Sequence, residues 1–198
     1  MGAVLLCPER VAPRGIVLPV TGMIGVVTIH SDHPFMPPES DRSPIRRLRG
    51  RLTAGVTVWT STHEGRRAGL TVSSMMVADG EPGRLVALLD PDSELWSAVA
   101  GSGRFAVSWL TYDDRRLADA FAGTAPAPGG PFKLAEWNDT EWGPVLHGAS
   151  SWAGCRLASE AREVGWALLV EGVTEHIELA DEQSPALAHR RGRYLRID

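Results

Sequence analysis

Two short runs that alternate with period two around a single turn restrict this fold more than any other feature. Val56-Thr57-Val58-Trp59-Thr60 and Gly69-Leu70-Thr71-Val72-Ser73 flank the turn Thr62-His63-Glu64-Gly65. Side chains two apart share one face of a strand, so this spacing predicts an antiparallel hairpin and not a helix. The returning run, which starts at Arg67, departs from an ordinary core strand. Gly69, Thr71, Ser73 and Ser74 place small or hydroxyl side chains where bulk is expected. Such a surface lets another body lie close against the backbone.

Period two recurs along the chain. Residues 85–89 are apolar on both faces and are expected to be central. Residues 105–110 form a further strand. Residues 151–157 and 165–173 pair around a turn at 160–163. Helical spacing breaks in at three places. Residues 40–52 carry Ser43 as N-cap, Pro44 at the first helical position and an apolar stripe of Ile45, Leu48 and Leu52. Residues 93–99 are capped by Asp92 or Ser93, turn Leu95, Trp96 and Val99 inward, and end at Gly101 and Gly103. A helix from Asp113 or Asp114 to Phe121 turns Leu117, Ala120 and Phe121 inward. No strand–helix–strand alternation persists, so the pattern is about six antiparallel strands in a closed barrel, not a parallel sheet.

Residues 1–38 mix Pro and Gly with scattered Val and Ile and show no period. They read as an N-terminal extension or arm, with the folded domain at 39–198. His30-Ser31-Asp32-His33 reads as a polar loop, because no third metal ligand lies at helical or hairpin spacing. No metal is expected.

With 198 residues the chain is long enough for one sizeable core. Its net charge of −4 argues against a nucleic-acid partner, which would call for a basic face. Arg46, Arg47, Arg49 and Arg51 form a local basic run, read as a solvated helix face in preference to a phosphate site. Cys7 and Cys155 belong to no CxxC pair, which favours a reduced, cytoplasmic protein. No apolar run approaches the ~18–20 residues of a membrane span. The start is broken by Pro8, Pro13 and Pro19 and makes a poor signal peptide. GxSxG, HExxH, P-loop and GxGxxG patterns are missing, and Ser73 and Ser74 have no base supplied by a motif. If the chain is an enzyme, its hard chemistry comes from a cofactor.

Several segments share one order and spacing with a known family. They are Arg51-Leu52-Thr53-Ala54-Gly55-Val56-Thr57-Val58-Trp59-Thr60, Gly69-Leu70-Thr71-Val72-Ser73-Ser74, Leu88-Leu89-Asp90-Pro91-Asp92-Ser93 and Gly103-Arg104-Phe105-Ala106-Val107. Leu117-Ala118-Asp119-Ala120-Phe121-Ala122-Gly123 and the tail His189-Arg190-Arg191-Gly192-Arg193-Tyr194 continue the match. From about Arg46 to the C-terminus the chain resembles the flavin reductase family of FMN-binding split β-barrels.

The resemblance implies a mainly β fold, a six-stranded antiparallel split β-barrel with a few short connecting helices. It implies FMN as cofactor, with FAD as the alternative, and NADH or NADPH as hydride donor. It implies that Thr57, Gly69, Leu70, Thr71, Val72, Ser73, Ser74, Asp90, Ser93, Glu94, Arg104 and Phe105 line the flavin site. Ser93, at a helix N-terminus, would meet the phosphate. A homodimer with the flavin at its interface and a partner monooxygenase are also implied. The alternatives are an oxidoreductase that holds FMN tightly and acts on another substrate, and a flavin-binding module without turnover.

Two departures stand out. Many members carry Gly-Asp-His near the nicotinamide, where this chain has Glu163-Val164-Gly165-Trp166. Trp166 replaces the histidine and either stacks on a ring or closes the slot. Gly80-Glu81-Pro82-Gly83-Arg84 replaces an apolar Asp-Pro-Pro turn, and Arg84 is expected to face solvent.

Overall fold

A computed structural model describes residues 43–180 and 184–198. The expected N-terminal extension, His30, His33 and Cys7 lie outside the described residues. In chain order the elements are α1 (Pro44–Arg49), β1 (Ala54–Gly55), β2 (Thr57–His63), β3 (Arg66–Val72), β4 (Met75–Ala78), β5 (Arg84–Leu89), α2 (Glu94–Ser102) and β6 (Arg104–Trp109). They continue with α3 (Arg115–Phe121), β7 (Trp137–Thr140), β8 (Gly143–Leu146), β9 (Ser151–Leu157), β10 (Arg162–Val164), β11 (Ala167–Leu179), β12 (Ala186–Arg190) and β13 (Arg193–Ile197).

The main sheet is antiparallel and eight-stranded, in the order β3-β2-β6-β9-β11-β5-β4 with β10 on β11. A three-stranded sheet, β1-β12-β13, and the β7–β8 hairpin complete the architecture. The expected count of six strands is therefore too low. The extra strands are mostly two to five residues long, too short for a period-two signal to stand out from loop sequence. β5, expected to be central, is second from one edge and alternates buried with more exposed positions.

β3 and β4 are the two edges, and no backbone ladder joins them. The sheet curls, and the chain crosses from one edge to the other through Ser73 and Ser74. Ser74 Oγ donates to the carbonyl of Leu88 at 2.8 Å, which ties the crossing to β5. This seam is the opening in an otherwise continuous wall.

The two faces of β3 serve two cores. Val72 opposite Thr57 and Leu70 opposite Trp59 face the first core. There Trp59 and Phe105 stack at 4.7 Å among Leu85, Leu89, Leu95, Val99 and Val170. α2 covers this core. Ser93 caps it, accepting from Trp96 N, and Gly103 ends it in the left-handed conformation at φ 71°. Gly101, expected to end this helix, is inside it. A Cβ there would lie 2.5 Å from the His63 ring.

The other face of β3, Thr71 opposite Val58 and Gly69 opposite Thr60, meets the second core. That core holds Val58, Leu110, Leu117, Phe121 and Leu187. Phe121 contacts Phe132 and Trp137 edge-on at 4.9 and 5.5 Å.

α1 is shorter than expected and has no buried residue, and the Ser43 side chain makes no capping bond. Its apolar stripe does not enter a core. Ile45, Leu48 and Leu52 are all largely exposed. Arg84, expected to face solvent, pairs across the sheet with Glu171 at 2.7 Å.

Candidate active site at the seam of the sheet

Three segments meet at the seam. The first is the crossing Ser73–Ser74. Ser73 is half-buried and its hydroxyl has no hydrogen-bond partner among the described residues. The second is the link from β5 to α2. Asp90 Oδ1 accepts from Asp92 N at 2.9 Å, and Ser93 Oγ donates to the Asp90 carbonyl at 2.7 Å while accepting from Trp96 N at 3.2 Å. The Ser93 hydroxyl is therefore committed to the helix cap. The first-turn N–H groups of Glu94 and Leu95 have no partner within the helix. Asp90, Asp92 and Glu94 stand around them, so a phosphate at this helix end would meet three carboxylates.

The third segment is the tip of the β10–β11 hairpin. Leu168 pairs with Leu89 and Val164 with Ala167, which sets the tip beside the Asp90 loop. Gly165 makes the turn at φ 61°. Trp166 follows it and is 92% exposed. A tryptophan this bare offers an indole plane to any flat ring that enters the seam.

The remaining predicted contacts do not reach the seam with their side chains. Thr57 is fully buried; its Oγ1 donates to the Val72 carbonyl at 2.8 Å and accepts from Trp59 Nε1 at 3.1 Å. Thr71 Oγ1 donates to the Ala118 carbonyl of α3 at 2.6 Å. A Cβ on Gly69 would lie 2.5 Å from Phe121 Cε1 and 3.3 Å from Phe132 Cζ. Leu70 and Val72 pack in the first core, and Phe105 is buried within it. Arg104 bonds Glu141 through Nη1. The small residues Gly69 and Thr71 thus make room for α3, and the Thr71 hydroxyl is committed to it and not open to a ligand. Of the predicted cofactor residues, Ser73, Ser74, Asp90, Ser93 and Glu94 are the ones at the seam, and Trp166 joins them.

Some residues at the seam escaped notice in the sequence. On the outer face, Met76 opposes Val86, Leu88 opposes Leu169, and Val164 opposes Ala167. Met76, Leu88 and Val164 remain exposed. Leu88 sits in an unbroken apolar run, so sequence alone could not tell it from its buried neighbours. The groups whose acidity the fold shifts lie elsewhere. Burial pushes the Cys155 thiol up to about 12. Burial, then the bond to Asp119, raises Tyr194. The hydrogen bond from Trp142 Nε1 lowers Glu175. Among the described residues no cluster of His, Cys, Asp or Glu is placed to hold a metal ion. None of their helices is long and apolar enough to cross a membrane.

A sequence profile of the flavin reductase like domain matches residues 49–198. The chain belongs to this family. Among its relatives, the flavin-dependent monooxygenase reductase subunit HsaB of Mycobacterium tuberculosis is 27% identical over 165 residues, covering 82% of this chain and 86% of that protein. The FMN reductase (NADH) RutF 2 of Methylorubrum extorquens is 33% identical over 156 residues, covering 77% and 89%. Among solved structures, nitrilotriacetate monooxygenase component B of Mycobacterium thermoresistibile superposes with a TM-score of 0.70 at 25% identity, covering 78% of this chain and 85% of that one.

The seam of this flavin reductase-like domain fits a flavin in two respects. The uncommitted Ser73 hydroxyl suits a polar ribityl chain or ring edge. The exposed indole of Trp166 and the bare side chain of Leu88 suit the flat apolar ring. The acidic surround of α2 does not suit the phosphate.

Proposed function

We propose that this protein is an NAD(P)H-dependent flavin reductase that supplies reduced flavin to a partner monooxygenase. The observation that carries the reading is the family match across residues 49–198, joined to a seam with an uncommitted hydroxyl beside an exposed indole. A bound flavin would accept a hydride at its ring and pass the electrons on. The chain's own residues bind and orient. Ser73 and Ser74 offer hydroxyls along the crossing. The Glu94 amide offers a donor at the head of α2. Trp166 supplies a face against which a nicotinamide or a flavin ring stacks. No proton-transferring pair is needed, because hydride transfer depends on stacking and alignment.

FMN is the favoured flavin and FAD the alternative; the relatives include one named as an FMN reductase (NADH). The outer face holds an apolar strip of Met76, Val86, Leu88, Leu169 and Val164, bordered by Arg162 and the Arg84–Glu171 pair, and such a strip supports a homodimer closing over the seam. Light scattering that finds only monomer would remove the dimer from this reading.

The direct test is an absorbance spectrum of the purified protein with added FMN, before and after NADH or NADPH. The expected result is a perturbed flavin spectrum that bleaches with the nicotinamide under anaerobic conditions. Protein that neither perturbs FMN nor oxidises NAD(P)H refutes the reading. Trp166 in place of histidine favours a second one, a tightly held FMN that acts on another substrate. Bound flavin that resists both nicotinamides, with reduction appearing in Trp166→His, selects it.

A further inference from the structure

Two arginine-bearing segments that lie far apart in sequence come together at the surface of the domain. Arg191 N donates to the Gly50 carbonyl at 2.8 Å, and the two backbones touch there. α1 and its exit contribute Arg46, Arg47 and Arg51. The β12–β13 hairpin contributes Arg190, Arg191 and Arg193. Among the described residues none of these six has a carboxylate within ion-pair distance, although the chain as a whole is acidic. Arg190 stands directly opposite Arg193 across the hairpin. Like charges so placed destabilise a hairpin. Arg191 and Gly192, at φ 52° and 77°, form the two-residue turn that such a tight hairpin requires. An anion held between Arg190 and Arg193 would offset their repulsion.

The register sets the cluster relative to the seam. Thr57 opposes Val72, the last residue before Ser73. Two residues upstream of Thr57, Gly55 opposes Ala188, and Ala54 opposes His189. The hairpin therefore runs on along β1, upstream of the end of β2 that Val72 opposes, and its arginines join those of α1 in one basic rim.

We infer that this rim binds a second phosphoryl group, one that FMN and NADH do not present there. The ligand chemistry is the phosphate of an adenine nucleotide. It has two sources, the pyrophosphate half of FAD and the 2′-phosphate of NADPH. The inference rests on the flavin reductase reading for the identity of its ligands. Guanidinium forks match phosphate oxygens, and their number and freedom from carboxylates suit a polyanion better than a neutral tail. Free phosphates at a protein surface compete with salt, so the preference must weaken as ionic strength rises.

The experiment measures dissociation constants of the full chain for FMN, FAD, NADH and NADPH in low salt. It compares the wild type with Arg190→Gln/Arg193→Gln and with Arg47→Gln/Arg51→Gln. The expected result is that one phosphate-richer member of a pair binds at least about tenfold tighter, as charge-assisted bonds allow. That preference falls to near parity in the glutamine variants, with FMN binding changed less than about twofold. A preference for FAD over FMN assigns the pyrophosphate, and one for NADPH over NADH assigns the 2′-phosphate. Circular dichroism of each variant verifies folding. Parity in the wild type, or a preference that survives both double substitutions, overturns the inference. Failure to bind any flavin would sink the flavin reading instead, and the rim would then be judged on NADPH against NADH by the same criterion.

Discussion

Gly69→Ala tests what the bare surface of β3 is for. The added Cβ would sit 2.5 Å from Phe121 Cε1 and 2.9 Å from Cδ1, well inside contact distance. Phe121 is 4% exposed and has Phe132 and Trp137 edge-on against it. It cannot swing away without moving them. Overpacking of this kind costs roughly 2–3 kcal/mol toward the upper end of its range. Replacing a strand glycine by alanine returns about 0.5–1 kcal/mol of chain entropy. The net expectation is a loss of about 1–2 kcal/mol in urea unfolding followed by tryptophan fluorescence. The flavin dissociation constant should stay within about twofold, since the strain is borne by α3 and not by the seam. Phe121→Leu removes the ring atoms that clash. In the double variant the two losses should therefore fall short of their sum by about 1 kcal/mol, the signature of a shared contact. Gly69→Ala as stable as the wild type but weaker in flavin binding would refute the packing account and return β3 to the ligand.

Three further outcomes follow from the same geometry. Thr71→Val removes the 2.6 Å bond to the Ala118 carbonyl and should cost about 1 kcal/mol in stability with flavin affinity unchanged. Ser73→Ala removes a hydroxyl with no partner among the described residues, so its melting temperature should not move, while titration with FMN should show affinity weakened about 2- to 10-fold. The Cys155 thiol titrates at 9.0 when unperturbed and is held up to about 12 by burial in the fold. Between those pH values the folded state keeps a proton that the unfolded state loses, so stability falls as pH rises, by up to about 1.4 kcal/mol per unit. Denaturation midpoints from pH 8 to 11 should drop more steeply for the wild type than for Cys155→Ala, and parallel curves would contradict the assignment.

The strands were legible where an alternation ran for five residues or more, as in Val56–Thr60 and its return. Two- and three-residue strands such as β1 and β10 were not, because their order comes from a neighbour's ladder and not from their own pattern. The smallness of Gly69 and Thr71 rightly signalled a close approach. What approached could not be named, since Phe121 lies 52 positions along the chain and the contact exists only once α3 folds back. Residues 85–89 carried no alternation from which to tell the exposed Leu88 from the buried Leu89. The two arginine segments were each visible, and each alone looked like a solvated surface. Their meeting at Gly50 and Arg191 is a tertiary fact.

β11 has a further consequence. At Leu168 and Leu169 it is flanked by β10 and β5, and at Gly172 and Val173 by β5 and β9. Past the register shift between Thr174 and His176, β9 alone pairs with it. One strand thus has a clamped half and a half held from one side. Amide protons should exchange slowly near the Trp166 hairpin and progressively faster toward Leu179. Thermal opening would begin at the far end of the strand and leave the turn that presents Trp166 anchored.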